Sequence, residues 1–187
     1  MKVSRERMAE NRARLLDAAS RLFRERGFEA VTVAEVMKTA GLTHGAFYGH
    51  FGSKDDLIAQ TLSHSLEASL RGEFDFGEFL ATYLSPKHRD NPSRGCPTAS
   101  LVAETRHQAP AARAAIADGL KRQVERISSD LRSGDKNERR RAAIGSWAAM
   151  VGAVIIARSI DDPDLSNEVL EQTRAWIDIR LLDTQAR

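Results

Sequence analysis

A short run near the N-terminus carries side chains suited to hydrogen bonding with nucleic-acid bases and phosphates. Between residues 33 and 57, apolar residues recur at helical spacing, and Gly41 separates two such stretches. In the second stretch Phe47 and Phe51 lie four residues apart, so one helix face should be buried and the other should face outward. Small or hydrogen-bonding residues occupy that outward face, which can approach base edges and phosphates closely: Thr43, His44, Gly45, Tyr48, Gly49 and His50.

Capping residues on either side of this face predict where the helices that carry it begin and end. Thr32 and Thr43 are each placed to cap a helix by accepting a backbone N–H, and Ser53 can cap a third helix. Gly41 stands where a helix ends in the left-handed conformation. Lys54 lies in a first helical turn, where the helix dipole favours anions, so an external phosphate would explain its placement. The pattern predicts a helix-turn-helix.

The run from Arg14 to Leu57 resembles the N-terminal DNA-binding domain of the TetR/AcrR family of bacterial transcriptional regulators. Three motifs carry the resemblance in register, namely LDAASRLFRERGFEAVTV, AGLTHGAFYGHF and SKDDL. The resemblance implies base contacts at the start of the recognition helix and phosphate contacts around it. The implied base contacts are Thr43, His44 and Gly45, and the implied phosphate contacts are Thr32, Tyr48, His50 and Lys54.

Structural alternatives remain open for several of these residues. Tyr48 or His50 could close the headpiece core through ring packing. Thr32 and Thr43 could serve as helix caps only.

The rest of the chain is predicted to be helical, with Pro and Gly marking the breaks. We expect an all-α protein with a three-helix helix-turn-helix headpiece at residues 1–54 and an effector-binding and dimerisation bundle at residues 55–187. The segment Ser85–Gly95 has the proline, glycine and charge content of an exposed loop. Helices are expected near residues 6–26, 53–71, 74–84, 96–107, 110–132, 138–160 and 166–182.

The last two predicted helices offer more apolar surface than one thin bundle can bury. In the resembling family the corresponding helices form a four-helix bundle with a partner subunit, although a purely intrachain core is the alternative. A homodimer would present two recognition helices to successive major grooves about 34–36 Å apart and favour a near-palindromic operator. The candidate interface residues are Trp147, Val151, Val154, Ile155, Val169, Thr173, Trp176 and Ile177.

The resemblance also implies a small apolar or amphipathic effector bound among the middle helices, although an apolar stripe is more often plain core. Cys96 lies at a loop-to-helix junction, where a thiolate sensor and a small buried residue are both plausible. The candidate lining residues are Phe76, Phe79, Tyr83, Cys96, Leu101, Glu104, His107, Trp147 and Met150.

Composition and charge agree with this interpretation. The chain has 187 residues, 42% of them hydrophobic, which is enough for a small headpiece and a larger body. Residues 1–54 contain ten Lys and Arg against six Asp and Glu, whereas the remainder carries a formal charge of −2. This modest asymmetry concentrates positive charge where DNA would lie, although an ordinary solvated surface would look similar.

Targeting, membrane and catalytic signals are lacking in the sequence. The N-terminal stretch is polar and basic, and the longest apolar run, Trp147–Ala157, is shorter than the roughly 20 residues of a membrane span. A single cysteine fits a reducing compartment, so we expect a cytoplasmic protein without a membrane partner. The common nucleotide-binding, hydrolase and zinc motifs are missing, so no catalytic residue, metal or cofactor is expected.

The sequence therefore favours a ligand-responsive DNA-binding regulator. A repressor released by its effector is the first hypothesis, and an activator of the same fold is the second. A competitor from another class is a helical small-molecule carrier or enzyme whose headpiece no longer binds DNA. Lys54 and the intact turn argue against that competitor.

Overall fold

Helices make up the secondary structure of the described part of the chain, which confirms the predicted all-α class. The computed structural model describes the backbone of residues 5–185 and the side chains of residues 5–179, and it contains no strand within that range. The α-helices are α1 (Arg5–Arg26), α2 (Val33–Thr39), α3 (Lys54–Ser69), α4 (Phe76–Tyr83), α5 (Pro86–Arg89), α6 (Pro97–Thr105), α7 (Pro110–Asp130), α8 (Lys136–Ser159) and α9 (Pro163–Gln185). Two 3₁₀ turns cover His44–Gly49 and Pro92–Arg94.

The first helix ends where the sequence predicts. Gly27 adopts φ +80°, a left-handed conformation that glycine tolerates best, and its N–H donates to the carbonyl of Phe23. The chain then folds back, so that Phe28 is fully buried with its ring edge-on to that of Phe23 at 5.3 Å between centroids. This contact fixes the path from α1 into α2.

One compact unit contains the residues up to Ser69 together with Cys96–Gly119. Within it, α3 packs on α1 through a buried face that includes Leu57, Ile58 and Leu62. Helix α6 packs on both α1 and α3, and Leu101 is buried there. The compact unit therefore extends beyond residue 54 and includes a segment from the middle of the chain, whereas the functional boundary at residue 54 stays a prediction.

The second compact unit contains Leu70–Gly95 and the chain from Leu120 onward. Helices α8 and α9 pack along each other and bury Val154, Leu170 and Ile177. By length and composition α8 could cross a membrane, but core helices pass the same test, and Met150 and Val154 on α8 are fully buried in the protein. These two helices form the main packing pair of the unit.

The segment Ser85–Gly95 is not the exposed loop that its composition predicts. It forms α5 and a 3₁₀ turn, and the Arg158 guanidinium donates to the carbonyl oxygens of Arg89 at 2.9 Å and His88 at 3.0 Å. The Arg89 side chain in turn donates to Ser166 Oγ at 2.8 Å. Composition missed this because the ordering groups lie about seventy residues away in the chain.

Candidate nucleic-acid interface

Thr32 caps α2 through a reciprocal capping box, as predicted. Its hydroxyl accepts the Glu35 N–H at 3.2 Å, and the Glu35 carboxylate accepts the Thr32 N–H at 2.8 Å. Arg26 pairs with the same carboxylate at 2.8 Å. The hydrogen bond from the Thr32 backbone, followed by that from Arg26, lowers the pKa of Glu35 to about 2. The start of α2 is therefore held rigidly, and a phosphate contact from Thr32 stays a prediction.

The turn after α2 depends on Gly41. This residue has φ +69°, and the N–H of the following Leu42 donates to the carbonyl of Met37 at 2.9 Å. A Cβ atom on Gly41 would lie 2.8 Å from a guanidinium nitrogen of Arg14, which donates to the carbonyl of Ala40. The left-handed backbone conformation favours glycine here, as the sequence predicts.

The recognition segment, His44–Gly49, is a 3₁₀ turn rather than the predicted α-helix. It is short and contains Gly45 and Gly49, which disfavour a regular helix. The predicted cap at Thr43 is wrong, because its side chain makes no cap hydrogen bond. The Thr43 carbonyl accepts the Ala46 N–H at 3.0 Å instead, and the Thr43 side chain lies exposed.

Two buried rings hold the recognition segment in place. Phe47 and Phe51 are each only 2% exposed, and their centroids lie 5.7 Å apart. Tyr48 packs edge-on against Phe47 at 5.3 Å but leaves 73% of its surface exposed. Tyr48 therefore does not close the headpiece core. It shares the exposed surface with Thr43, His44 and Gly45.

His50 differs from these neighbours because it is partly buried. Burial, and then the positive charge of Arg12, lower the pKa of its imidazole. His50 is therefore neutral at neutral pH, and any phosphate contact it makes would be a hydrogen bond from a neutral ring.

Helix α1 flanks this surface, a feature that the sequence did not indicate. The Arg12 guanidinium lies over the Phe51 ring at 5.7 Å and donates to Gln60. A Cβ atom on Gly49 would lie 3.9 Å from the terminal methyl of Met8. The helical spacing of Met8 and Arg12 places them on one face of α1, but nothing local says what that face contacts.

Lys54 begins α3, whose cap matches the prediction. Ser53 Oγ accepts the Asp56 N–H at 3.1 Å, and the Asp56 carboxylate accepts the Gly52 N–H at 2.9 Å. Lys54 is half-buried and shares the first turn with two acidic residues, Asp55 and Asp56. Its phosphate contact stays a prediction.

The candidate effector residues fall into two groups. Phe76, Phe79, Tyr83, Trp147 and Met150 belong to the second unit, and the rings of Phe79, Tyr83 and Trp147 contact one another.

The other four candidates, Cys96, Leu101, Glu104 and His107, belong to the first unit. There Leu101 is buried, Cys96 is half-buried, and His107 is exposed beside Arg106. The Glu104 carboxylate accepts the Phe28 N–H at 2.9 Å, so at least one of its oxygens contacts the headpiece.

The candidate dimer residues differ in burial within one chain. Trp147, Val151, Val154 and Ile177 are buried, whereas Ile155, Val169 and Thr173 are half-buried and Trp176 is 49% exposed. Further large apolar side chains of α8 and α9 are exposed, namely Ile144, Ile156, Leu165 and Ile179. As for metals, no cluster of three or more His, Cys, Asp or Glu side chains occurs among the residues whose side chains are described.

Comparisons with known proteins agree with this geometry. The family model described as bacterial regulatory proteins, tetR family, matches residues 15–61. The HTH-type transcriptional regulator TtgR of Pseudomonas putida is 41% identical over 63 residues, which cover 34% of this chain and 30% of that protein. The matched part of the chain thus spans less than a third of that curated relative.

Solved structures extend the likeness beyond the headpiece. The reduced form of NemR from E. coli aligns with a TM-score of 0.73 and 25% identity, covering 90% of this chain and 95% of that one. A TetR-family regulator from Cytophaga hutchinsonii shares the fold with a TM-score of 0.73 at 17% identity, covering 95% and 97% of the two chains. With its capped α2, its glycine turn and its exposed recognition segment, the N-terminal part of the chain matches the DNA-binding domain of the tetR family of bacterial regulatory proteins.

Proposed function

We propose that this protein is a transcriptional regulator that binds a near-palindromic DNA operator as a homodimer and is released from it by a small effector. The observation that carries the DNA-binding part is the recognition segment. Its exposed side chains can form hydrogen bonds, and Phe47 and Phe51 fix its backbone from beneath. A rigid polar face of this kind is what base recognition requires.

We assign base contacts to Thr43, His44 and Gly45. The exposed Thr43 hydroxyl supports this assignment, since no cap hydrogen bond occupies it. A Cβ atom on Gly45 would meet nothing within 4 Å, so the packing of the chain does not require glycine here, and close approach of DNA would explain it. We assign phosphate contacts to Tyr48, His50, Lys54 and Thr32.

The homodimer is supported by the exposed apolar side chains of α8 and α9. Ile156 is 52% exposed and Trp176 is 49% exposed, and such large apolar groups on neighbouring helices favour association. Association of α8 and α9 with the same pair in a second chain would cover them and yield a two-fold protein. Two recognition segments are needed because one headpiece offers too few contacts for specific binding.

Selection of duplexes from a random DNA pool with the purified protein tests the proposal. We expect enrichment of inverted repeats whose half-sites lie about one helical turn apart or a multiple of it. The Tyr48→Ala variant tests the recognition segment, because its exposed ring can be removed without opening the core, and its enrichment should be weaker. A strictly monomeric protein, or one that enriches no inverted repeat over scrambled competitor, would contradict the proposal.

The sign of regulation needs a separate measurement. Transcription from a reporter with the selected site upstream should fall when a repressor is present and recover with its effector. A rise in transcription would identify an activator of the same fold. A protein that binds small molecules but no DNA would be the carrier or enzyme considered from the sequence. A regulator of this kind acts on DNA in the cytoplasm.

A further inference from the structure

An aromatic cluster in the second unit comprises Phe74, Phe79, Tyr83 and Trp147. Ring centroids lie 5.3 Å apart for Phe74 and Phe79, and 6.0 Å apart for Phe79 and Trp147, whose rings are nearly parallel at 27°. Tyr83 meets Trp147 edge-on at 5.2 Å. Phe74 and Phe79 are only partly buried, so the cluster reaches the protein surface on that side. Its faces suit a flat apolar molecule.

The indole of Trp147 gives this cluster a buried polar donor. Trp147 is 7% exposed, and its Nε1–H has no hydrogen-bond partner among the described residues. Buried indole N–H groups are normally paired, because an unpaired buried donor loses its hydrogen bond to water without replacement. An acceptor atom on a bound molecule would therefore give the Trp147 Nε1–H its missing hydrogen bond.

The charged groups around the cluster favour an uncharged acceptor. The Arg126 guanidinium lies 4.4 Å from the Phe74 ring centroid, but it donates to backbone carbonyls, including that of Gly72 at 2.9 Å. Arg158 likewise donates to the carbonyls of His88 and Arg89. Burial lowers the pKa of His88, whose ring contacts Tyr83 at 4.5 Å, so that imidazole is neutral at neutral pH. Because Arg126 and Arg158 already donate to carbonyls and His88 is neutral, a neutral acceptor suits Trp147 better than a carboxylate does.

We propose that the effector is a neutral, planar aromatic compound with an oxygen acceptor, such as an aryl ketone, which accepts a hydrogen bond from Trp147 Nε1–H and packs on Phe79 and Tyr83. This inference rests on the proposed function, since it names the chemical class of the effector. Trp147 also connects the site to the proposed dimer surface. It lies on α8, and the nearby α8 residues Ile144 and Ala148 are exposed. A ligand inserted at Trp147 would displace α8 relative to a partner chain.

Calorimetric titration of the full chain with matched ketone and hydrocarbon pairs tests the proposal. The pairs are acetophenone with ethylbenzene, 1-indanone with indane, and 1-tetralone with tetralin, which differ mainly in the carbonyl. We expect at least one ketone to bind about tenfold more tightly than its hydrocarbon, which is the affinity ratio expected for one hydrogen bond. Equal affinities within every pair, or no binding by any ketone, would overturn the proposal.

The Trp147→Phe variant isolates the donor, because it removes the N–H and keeps an aromatic ring. It should lose the preference for the ketone, while its thermal stability stays equal to or above that of the native chain. If Trp147→Phe keeps the preference, the assigned donor is wrong. If it unfolds, Trp147→Leu, which also lacks a donor, replaces it, and a preference kept by that folded variant would also contradict the assignment.

The two proposals fail in different ways. Calorimetry involves no DNA, and operator selection involves no effector. If the protein selects an operator but binds no ketone, only the proposed chemical class of the effector is contradicted. If the protein binds a ketone through Trp147 but selects no DNA, the proposed ligand site stands and the proposed role as a transcriptional regulator is contradicted.

Discussion

The carboxylate of Glu104 accepts a hydrogen bond from the backbone N–H of Phe28 at 2.9 Å, across 76 residues of sequence. The same carboxylate crowds Gly27, because a Cβ atom there would lie 2.6 Å from a Glu104 oxygen. Helix α6 thereby supplies an acceptor for a part-buried backbone N–H just beyond the end of α1, and buried backbone N–H groups need such partners. The headpiece is held by this contact as well as by its own core.

Replacing Glu104 by Ala should lower the free energy of unfolding by about 1–3 kcal/mol, because the partly buried Phe28 N–H loses its partner. Urea denaturation measures this change. The Glu104→Gln variant keeps an acceptor oxygen and should lose less. Equal losses in the two variants would mean that the carboxylate charge, rather than the hydrogen bond, stabilises the headpiece.

Thr43 and Ser53 should respond differently to loss of the hydroxyl. Ser53→Ala removes the cap of α3 and should cost about 1 kcal/mol of stability. Thr43→Ala removes no cap hydrogen bond, so stability should stay within about 0.5 kcal/mol while discrimination among operator sequences weakens. Thermal denaturation and competition binding measure the two effects. A destabilised Thr43→Ala variant with unchanged discrimination would argue for a structural role.

Lys54→Ala should weaken binding to all DNA sequences and reduce the slope of log K against log salt by about 1, as expected for one lost phosphate contact. Fluorescence anisotropy over a range of salt concentrations measures the slope. Lys121→Ala, at an exposed position of α7, removes the same charge outside the recognition surface and is the control. An unchanged slope in the Lys54 variant would refute the phosphate contact.

Trp176→Arg should yield a monomer, because a charge would then lie in the proposed α8–α9 interface, where Trp176 is 49% exposed in the single chain. Sedimentation velocity measures the state of association, and operator affinity should fall with it. Glu171→Arg changes an exposed α9 residue about 140° away around the helix and should leave the dimer intact. If both variants stay dimeric, the dimer uses another surface.

Acid should destabilise the fold partly through His88. Because burial lowers its pKa, the folded chain binds this proton less readily than the unfolded chain, whose histidine titrates near pH 6.5. The free energy of unfolding should therefore fall as the pH drops below about 6.5. Thermal denaturation between about pH 7.5 and 5.5 should show a weaker pH dependence for His88→Gln. If the native protein and the His88→Gln variant show the same pH dependence, titratable groups other than His88 cause the loss of stability.

The amino-acid sequence by itself determined the features that depend on residues a few positions apart. The caps at Thr32 and Ser53, the left-handed Gly41 and the buried pair Phe47 and Phe51 were all predictable, because each follows from local hydrogen bonding or helical spacing. The helical class and the outline of the candidate DNA-binding face followed from the same rules.

Only the tertiary structure decided what those faces contact. Glu104 meets Phe28, Arg12 covers Phe51, and Arg158 orders the segment around His88, and each contact joins residues about forty or more positions apart. The conformation of the recognition segment also depended on its setting, since buried Phe47 and Phe51 hold a glycine-containing 3₁₀ turn where spacing alone predicted an α-helix. Helical periodicity identifies an apolar face. Which element packs on that face depends on how distant parts of the chain come together in the tertiary structure.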